Sequence, residues 1–202
     1  MARMEQTGVR TRRRGATLED ALLAAAWAEL AKTGYTNFTF DAVAKRANTS
    51  RAVLYRRWSS KPKLVRAAIA REIQKDEVVT PDTGSLRGDV IALLTQANGR
   101  RVRLAITLLA HLGDYYRATG TSIATLRNSI YGDRESNMET IIERAVARGE
   151  VKPGVISDRI LRLPLDLFRQ QLAMTYAPVP AEEIAGIVDT IFLPLLKAHG
   201  AL

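Results

Sequence analysis

Cysteine is absent from the 202 residues, so neither a disulfide framework nor thiolate metal or redox chemistry is open to this chain. Histidine is scarce: His111 and His199 stand alone, without the neighbours at ligand spacing that a zinc site needs. Long apolar runs are missing too. The longest stretch free of charged residues is Gln170 to Ala181, too short to cross a bilayer. The basic N-terminus is not followed by the apolar segment of a secretory signal, which makes the cytoplasm the expected compartment. There is no Gly-rich phosphate loop, no carboxylate pair on a loop and no histidine with an evident partner. Neither an enzyme nor a cofactor- or metal-binding protein is therefore expected.

What is present is charge of one sign in one place. Apolar residues make up 47% and charged residues 25%, a globular balance, yet the formal net charge is +9. Residues 1–76 carry 16 Lys and Arg against 7 Asp and Glu, and residues 77–202 carry 14 against 14, so the excess lies wholly in the first third. Only four of those 16 cations fall in the Arg10–Arg14 run; the others are spread through patterned sequence. A basic module for a polyanion joined to a neutral body is the expected organisation.

Apolar residues recur at three and four throughout, so the fold is expected to be all-α. Residues 1–16 are polar and aperiodic and read as a flexible basic arm, placed either to enter a DNA minor groove or to remain solvated. Thr17 offers a helix cap with Asp20 three residues on, followed by the stripe Leu22, Leu23, Ala26, Trp27 and Leu30, with Gly34 as the stop. Thr39 caps a short helix, Asn48 sits in a three-residue turn, and Ser50 is placed to cap "RAVLYRRW". Ser60, with Pro62 in the first turn, opens a fourth helix to Glu77. "VVTPDTG" then reads as a linker. Further helices are expected at about 85–98, 100–118, 121–148, 156–176 and 180–198.

The segment Arg51–Trp58 holds three arginines, a tyrosine and a tryptophan in eight residues. On a helix Leu54 and Trp58 share the inward face, while Ala52, Tyr55 and Arg56 point away, with Arg51 at the start and Arg57 at the flank. A solvated amphipathic helix would also account for Leu54 and Trp58. The combination of cap, turn, cap and basic face, in the domain that holds all the excess charge, favours a helix-turn-helix read into a major groove. Arginine pairs with guanine, alanine packs on a thymine methyl, and Tyr55, Thr39 and Lys61 suit phosphates.

The stretch from Gly34 to Ile69 resembles the DNA-binding region of TetR-family transcriptional regulators. Gly34 and Tyr35, the cap Thr39, Val43 and Ala44, the turn Ala47 to Ser50, Leu54 and Tyr55, Trp58, Lys61 and Leu64 fall where that family's pattern has them. Asn48 replaces the usual Gly and Thr49 the usual Val. The match covers about 55 residues from Thr17 onward; beyond it only helix number and length correspond.

The resemblance implies an N-terminal helix-turn-helix domain over 17–77 and a helical ligand-binding and dimerisation domain over 78–202. It implies DNA contacts from Thr39, Thr49, Ser50, Arg51, Ala52, Val53, Tyr55, Arg56, Arg57 and Lys61. The implied partners are a palindromic double-stranded operator, a second copy of the chain and a small-molecule effector that releases a repressor, with no membrane. A constitutive DNA-binding protein without an effector is the alternative. For the dimer, Phe168, Leu172, Ile184, Ile187, Val188, Ile191, Phe192 and Leu195 form an apolar seam, which intrachain core would equally explain. For the effector, Thr107, His111, Tyr115, Phe168 and Gln171 are the polar or aromatic interruptions in apolar surroundings. On general burial grounds His111 reads more readily as a core histidine.

Overall fold

The computed structural model describes residues 5–75, 79–100, 102–131 and 137–202, and every regular element among them is a helix. They fall into two compact units. The chain up to Lys75 together with Thr107–Tyr131 forms one, and Asp76–Ile106 with Gly132–Leu202 the other. This grouping differs from the expected division into 17–77 and 78–202 in that the middle segment Thr107–Tyr131 packs with the N-terminal helices.

The first unit is built on α1 (Glu5–Asn37) and α4 (Lys61–Lys75), with α2 (Phe40–Arg46) and the very short α3 (Arg51–Tyr55) between them in sequence. Leu22, Ala26 and Leu30 of α1 and Leu64, Val65, Ala68 and Ile69 of α4 have no exposed surface. Alanines at 25, 26 and 68 keep this contact thin, so the larger side chains interlock. Each fully buried leucine or isoleucine contributes about 1.5–3 kcal/mol. Two ion pairs fasten the edges: Arg71 grips Asp20 at 2.6 and 2.9 Å, and Arg46 reaches the buried Glu29 at 2.8 Å.

Two local expectations change here. The arm predicted over 1–16 is helical from Glu5, so Thr17 lies inside α1 and is no cap; residues 1–4 lie outside the described residues. Glu, Gln, Arg and Ala favour the helix, no proline interrupts it, and Gly8 and Gly15 do not suffice to stop it. Gly34, by contrast, does break the helix, at φ 70°. A side chain there would be strained and would meet His111, whose Nδ1 lies 3.3 Å from the place a Cβ would take.

The helix expected over 100–118 is interrupted. It forms α6 (Val102–His111) and α7 (Gly113–Thr119), parted at Leu112 beside a glycine that weakens the helix. Likewise 121–148 gives α8 (Ile123–Tyr131) and α9 (Asn137–Ala147), with 132–136 outside the described residues. α7, α8 and the end of α6 complete the first unit.

In the second unit, α5 (Leu86–Arg100) and α10 (Asp158–Thr175) pack on a C-terminal rod, and α9 packs on α5 and α10. The rod comprises α11 (Ala181–Gly186), a π-helical turn (Ile187–Phe192) and α12 (Leu193–Ala198). The π turn was not expected, and Pro194 supplies its cause. A proline ring clashes with the carbonyl four residues back, and widening the preceding turn relieves the clash. The Leu193 N–H accordingly donates to Val188 O, five residues back.

Much of the seam expected for a dimer takes part in this packing. Phe168, Leu172, Ile184, Ile187, Val188 and Phe192 all lie in the unit's own core with Val90, Leu94 and Ile141. Of the seam, only Ile191 (42% exposed) and the half-buried Leu195 retain substantial surface. Phe168, also expected at the effector site, packs within that core.

A polar network ties the start of α5 to the end of α9. Asp89, fully buried, accepts from the Thr83 N–H at 2.5 Å, the Thr83 hydroxyl at 2.8 Å and Arg148 at 3.0 Å. Arg148 also holds Glu150, which accepts from the Leu86 N–H at 2.7 Å. The tightness of this corner requires Gly88, where a Cβ would fall 2.2 Å from Thr83 Oγ1. Burial pushes the Asp89 carboxyl up, but the Thr83 donors and Arg148 outweigh it and hold it below the ordinary 3.8. A lowered folded pKa stabilises the fold above pH 3.8, and that contribution is lost as pH falls through the folded value. Asp89→Asn is expected to cost about 2–4 kcal/mol at pH 7. In urea melts at pH 7 and pH 3, its deficit should shrink at the lower pH; an equal deficit at both would mean that the charge contributes nothing.

Candidate nucleic-acid interface

The turn between α2 and α3 is closed by backbone bonds that only an unusual residue permits. Asn48 adopts φ 48°, as expected, which lets the Thr49 N–H reach Ala44 O at 2.9 Å and the Asn48 N–H reach Lys45 O at 3.3 Å. At the other end of α2, Thr39 Oγ1 accepts from the Ala42 N–H at 3.2 Å. Asp41 lies in the first turn of α2, and Lys45 and Arg46 lie in the last, the arrangement the helix dipole favours.

Ser50 occupies the cap position of α3 in extended conformation, but its side chain makes no capping bond. Only its carbonyl takes part, accepting from Val53. Hydrogen bonds from Arg56, Arg57 and Trp58 back to Ala52 and Leu54 carry the turn onward past Tyr55. Leu54 has no exposed surface and Trp58 is buried, so the inward face is as expected. Arg51, Ala52, Tyr55 and Arg56 are exposed, while Thr49, Val53 and Arg57 are half-buried. Arg57 is turned partly inward, its Nη1 enclosed and without a hydrogen-bond partner.

The exposed face is partly tethered. Tyr55 stacks flat on Phe40, with ring centroids 4.2 Å apart and planes 6° from parallel. Arg51 approaches Asp41 at 3.3 Å and the Tyr55 ring centroid at 5.3 Å. Lys61, at the start of α4, donates to Thr36 O at 3.1 Å and sits 4.4 Å from the centre of the Tyr35 ring. Its ammonium pKa is lowered by burial, a shift that the nearby Asp114 charge opposes. Asp114 accepts from the Thr36 hydroxyl and from Arg117, which hold its carboxyl below the usual range. Phe40, Asp41, Thr36 and Asp114 were not foreseen. Asp41 precedes Arg51 by ten residues, and Asp114 follows Thr36 by 78, so no local pattern joins them.

The expected effector residues are not brought together in one unit. Thr107, His111 and Tyr115 belong to the first and Phe168 and Gln171 to the second. Tyr115 is buried edge-on against Tyr35 at 5.3 Å, and His111 packs over Gly34. The neighbouring Tyr116 hydroxyl is pushed up to about 12 by burial and stays neutral.

Two short helices joined by a left-handed turn, the second presenting arginines over a buried Leu54 and Trp58, define a helix-turn-helix DNA-binding domain. Comparison with known proteins agrees. Residues 22–68 match the family model of bacterial regulatory proteins of the tetR family, and residues 80–191 match that of the tetracyclin repressor-like C-terminal domain. The chain belongs to the TetR family of transcriptional regulators. It is 32% identical over 186 residues to the DNA-binding transcriptional repressor TetR of Mycobacteroides abscessus, covering 91% of this chain and 96% of that one. An uncharacterised HTH-type transcriptional regulator of Mycobacterium tuberculosis is 32% identical over 178 residues, 88% of this chain and 87% of the relative. Among solved structures, the flavonoid-responsive regulator FrrA shares the fold with a TM-score of 0.62 at 20% identity, over 91% of this chain and 97% of that one. A TetR-family regulator from Mesorhizobium loti does so with 0.63 at 14% identity, over 92% and 98%.

The unequal caps give a direct test. Thr39→Ala should destabilise the protein by about 1 kcal/mol, and Ser50→Ala by less than about 0.5 kcal/mol, because only Thr39 makes a side-chain capping bond. Urea denaturation of the two variants measures the difference, and equal losses would contradict it.

Proposed function

We propose that this regulator represses transcription as a homodimer in the cytoplasm, binding a palindromic operator through α3 and leaving it when a small-molecule effector binds. The observation that carries the reading is the outward face of Arg51, Ala52, Tyr55 and Arg56 over the fully buried Leu54. Arg51, Ala52 and Arg56 supply base contacts. Thr39, Ser50, Tyr55 and Lys61 supply phosphate contacts, with the half-buried Thr49, Val53 and Arg57 at the margins. The repressor named among the relatives supports the sign of the regulation.

A five-residue helix reads few base pairs, so two copies on two half-sites are needed for useful selectivity. The surface left for a second copy is the apolar remainder of α10 and the C-terminal rod: Leu167, Met174 (72% exposed), Ile191 and Leu195. Introducing Met174→Asp with Ile191→Asp should leave the fold intact, shift the protein to monomer in sedimentation, and abolish tight operator binding. A dimer that survives both charges would refute this surface.

Selection from a random double-stranded DNA pool at fixed salt tests the operator reading. A two-fold symmetric motif is expected. Arg56→Ala should cost about 1–3 kcal/mol against one symmetric base pair. Lys61→Ala should weaken all sequences alike and lower the salt slope by about 1 per half-site. An unenriched pool would exclude sequence-specific regulation. Thermal stabilisation by a metabolite that also dissociates the complex would separate an effector-controlled repressor from a constitutive one.

A further inference from the structure

An exposed arginine carries several freely turning bonds and samples many positions, and fixing it on a base costs much of that freedom. Arg51 is not left free. Its Nη1 lies 3.3 Å from Asp41 Oδ2, its Nη2 lies 3.4 Å from the Tyr55 hydroxyl, and its Cζ lies 5.3 Å from the Tyr55 ring centre. Both partners are themselves anchored. Tyr55 stacks on Phe40, which is buried, and Asp41 is the next residue along, in a helix whose first turn Thr39 caps. From Arg51 the chain of contact runs through Tyr55 or Asp41 into the core.

These contacts do little for stability. Arg51 and Asp41 are both more than half exposed, the hydrogen bonds lie at the long end of the range, and exposed pairs contribute little. Asp41 also places a negative charge beside the surface proposed to meet phosphates, which weakens attraction to any DNA. Its first-turn position favours the helix dipole, but that would act on stability alone.

We infer that Asp41 is a specificity-determining positioning residue: with Tyr55 it holds Arg51 as a fixed reader of guanine, in a G·C pair opposite the start of α3. This rests on the reading that α3 enters the major groove. A guanidinium has five N–H donors; one is taken by Asp41 and one by Tyr55, which leaves three. Two of these meet guanine N7 and O6. The Tyr55 hydroxyl, accepting from Arg51, keeps its own proton to donate to a phosphate. Arg56 is the internal contrast, since its exposed side chain has no partner among the described residues and nothing orients it in advance.

The test is selection from random double-stranded DNA at fixed salt, with full-length wild type, Asp41→Asn, Arg51→Ala and the double variant, alongside non-specific affinity and melting temperature. Wild type is expected to enrich guanine at one symmetric position, and Arg51→Ala to lose it. Asp41→Asn should lower that preference by about fivefold, the scale of coupling between touching residues. It should leave the Arg56 position unchanged and leave non-specific affinity unchanged or raised. The double variant should match Arg51→Ala. An unchanged guanine preference in Asp41→Asn, a change at a different base pair, or a uniform loss of affinity with a lowered melting temperature would each overturn the inference. If wild type enriches no motif, the reading of α3 falls and this inference falls with it. If the motif responds to Arg51→Ala but not to Asp41→Asn, only the inference fails.

Discussion

A helix of five residues has no stability of its own: nucleation costs more than one turn of hydrogen bonds returns. α3 exists because Leu54 and Trp58 are buried beneath it and because Asn48 lets the preceding turn close on Ala44 and Lys45. Everything the outer face can do depends on that inner one. With Leu54 and Trp58 fixed four residues apart, helical geometry leaves Ala52, Tyr55 and Arg56 on the other side without further instruction. In the same unit, the alanines of the α1–α4 contact keep the two long helices close together.

A DNA-facing surface must be both cationic and ordered, and these demands conflict. Free cations maximise counterion release, whereas ordered ones have given up some of their donors and freedom. This surface divides the work. Lys61 is partly desolvated and committed to Thr36 O, so it contributes charge at a fixed place. Arg51 keeps only weak, exposed contacts, to Asp41 and to the Tyr55 hydroxyl. Arg56 is left exposed. The single acidic residue of α2, Asp41, lies against one arginine instead of against the open surface.

The helix-turn-helix was legible in the sequence because its determinants are local. The cap Thr39, the left-handed Asn48 and the spacing of Leu54 and Trp58 each follow from a few adjacent residues. The seam of the last helix was not legible in the same way. A stripe at spacings of three and four says that a face is buried, but intrachain and interchain burial leave the same pattern. Ile184, Ile187, Val188 and Phe192 proved to be the chain's own core. The π turn was hidden for a related reason. Pro194 was visible, but whether it would break, kink or widen the helix depends on what packs around it. The polar clusters around Asp89, Asp114 and Asp41 join residues distant in sequence, and no periodicity reports them.

Placing Thr107–Tyr131 with the N-terminal helices changes the physical problem of control. Control of DNA binding has to alter the placement of α3 and of the start of α4. Within one compact unit, the path from α7 to that place is short: Asp114 accepts from the Thr36 hydroxyl, and Thr36 O accepts from Lys61. Tyr115 lies against Tyr35, over which Lys61 sits, and His111 packs on Gly34, where the backbone of α1 breaks. A tenfold change in affinity corresponds to about 1.4 kcal/mol, so control there needs only a small coupling. The contacts between α7 and residues 34–37 of α1 lie within the same unit as α3 and the start of α4. At that scale of coupling the energetics require no large rearrangement of the helices.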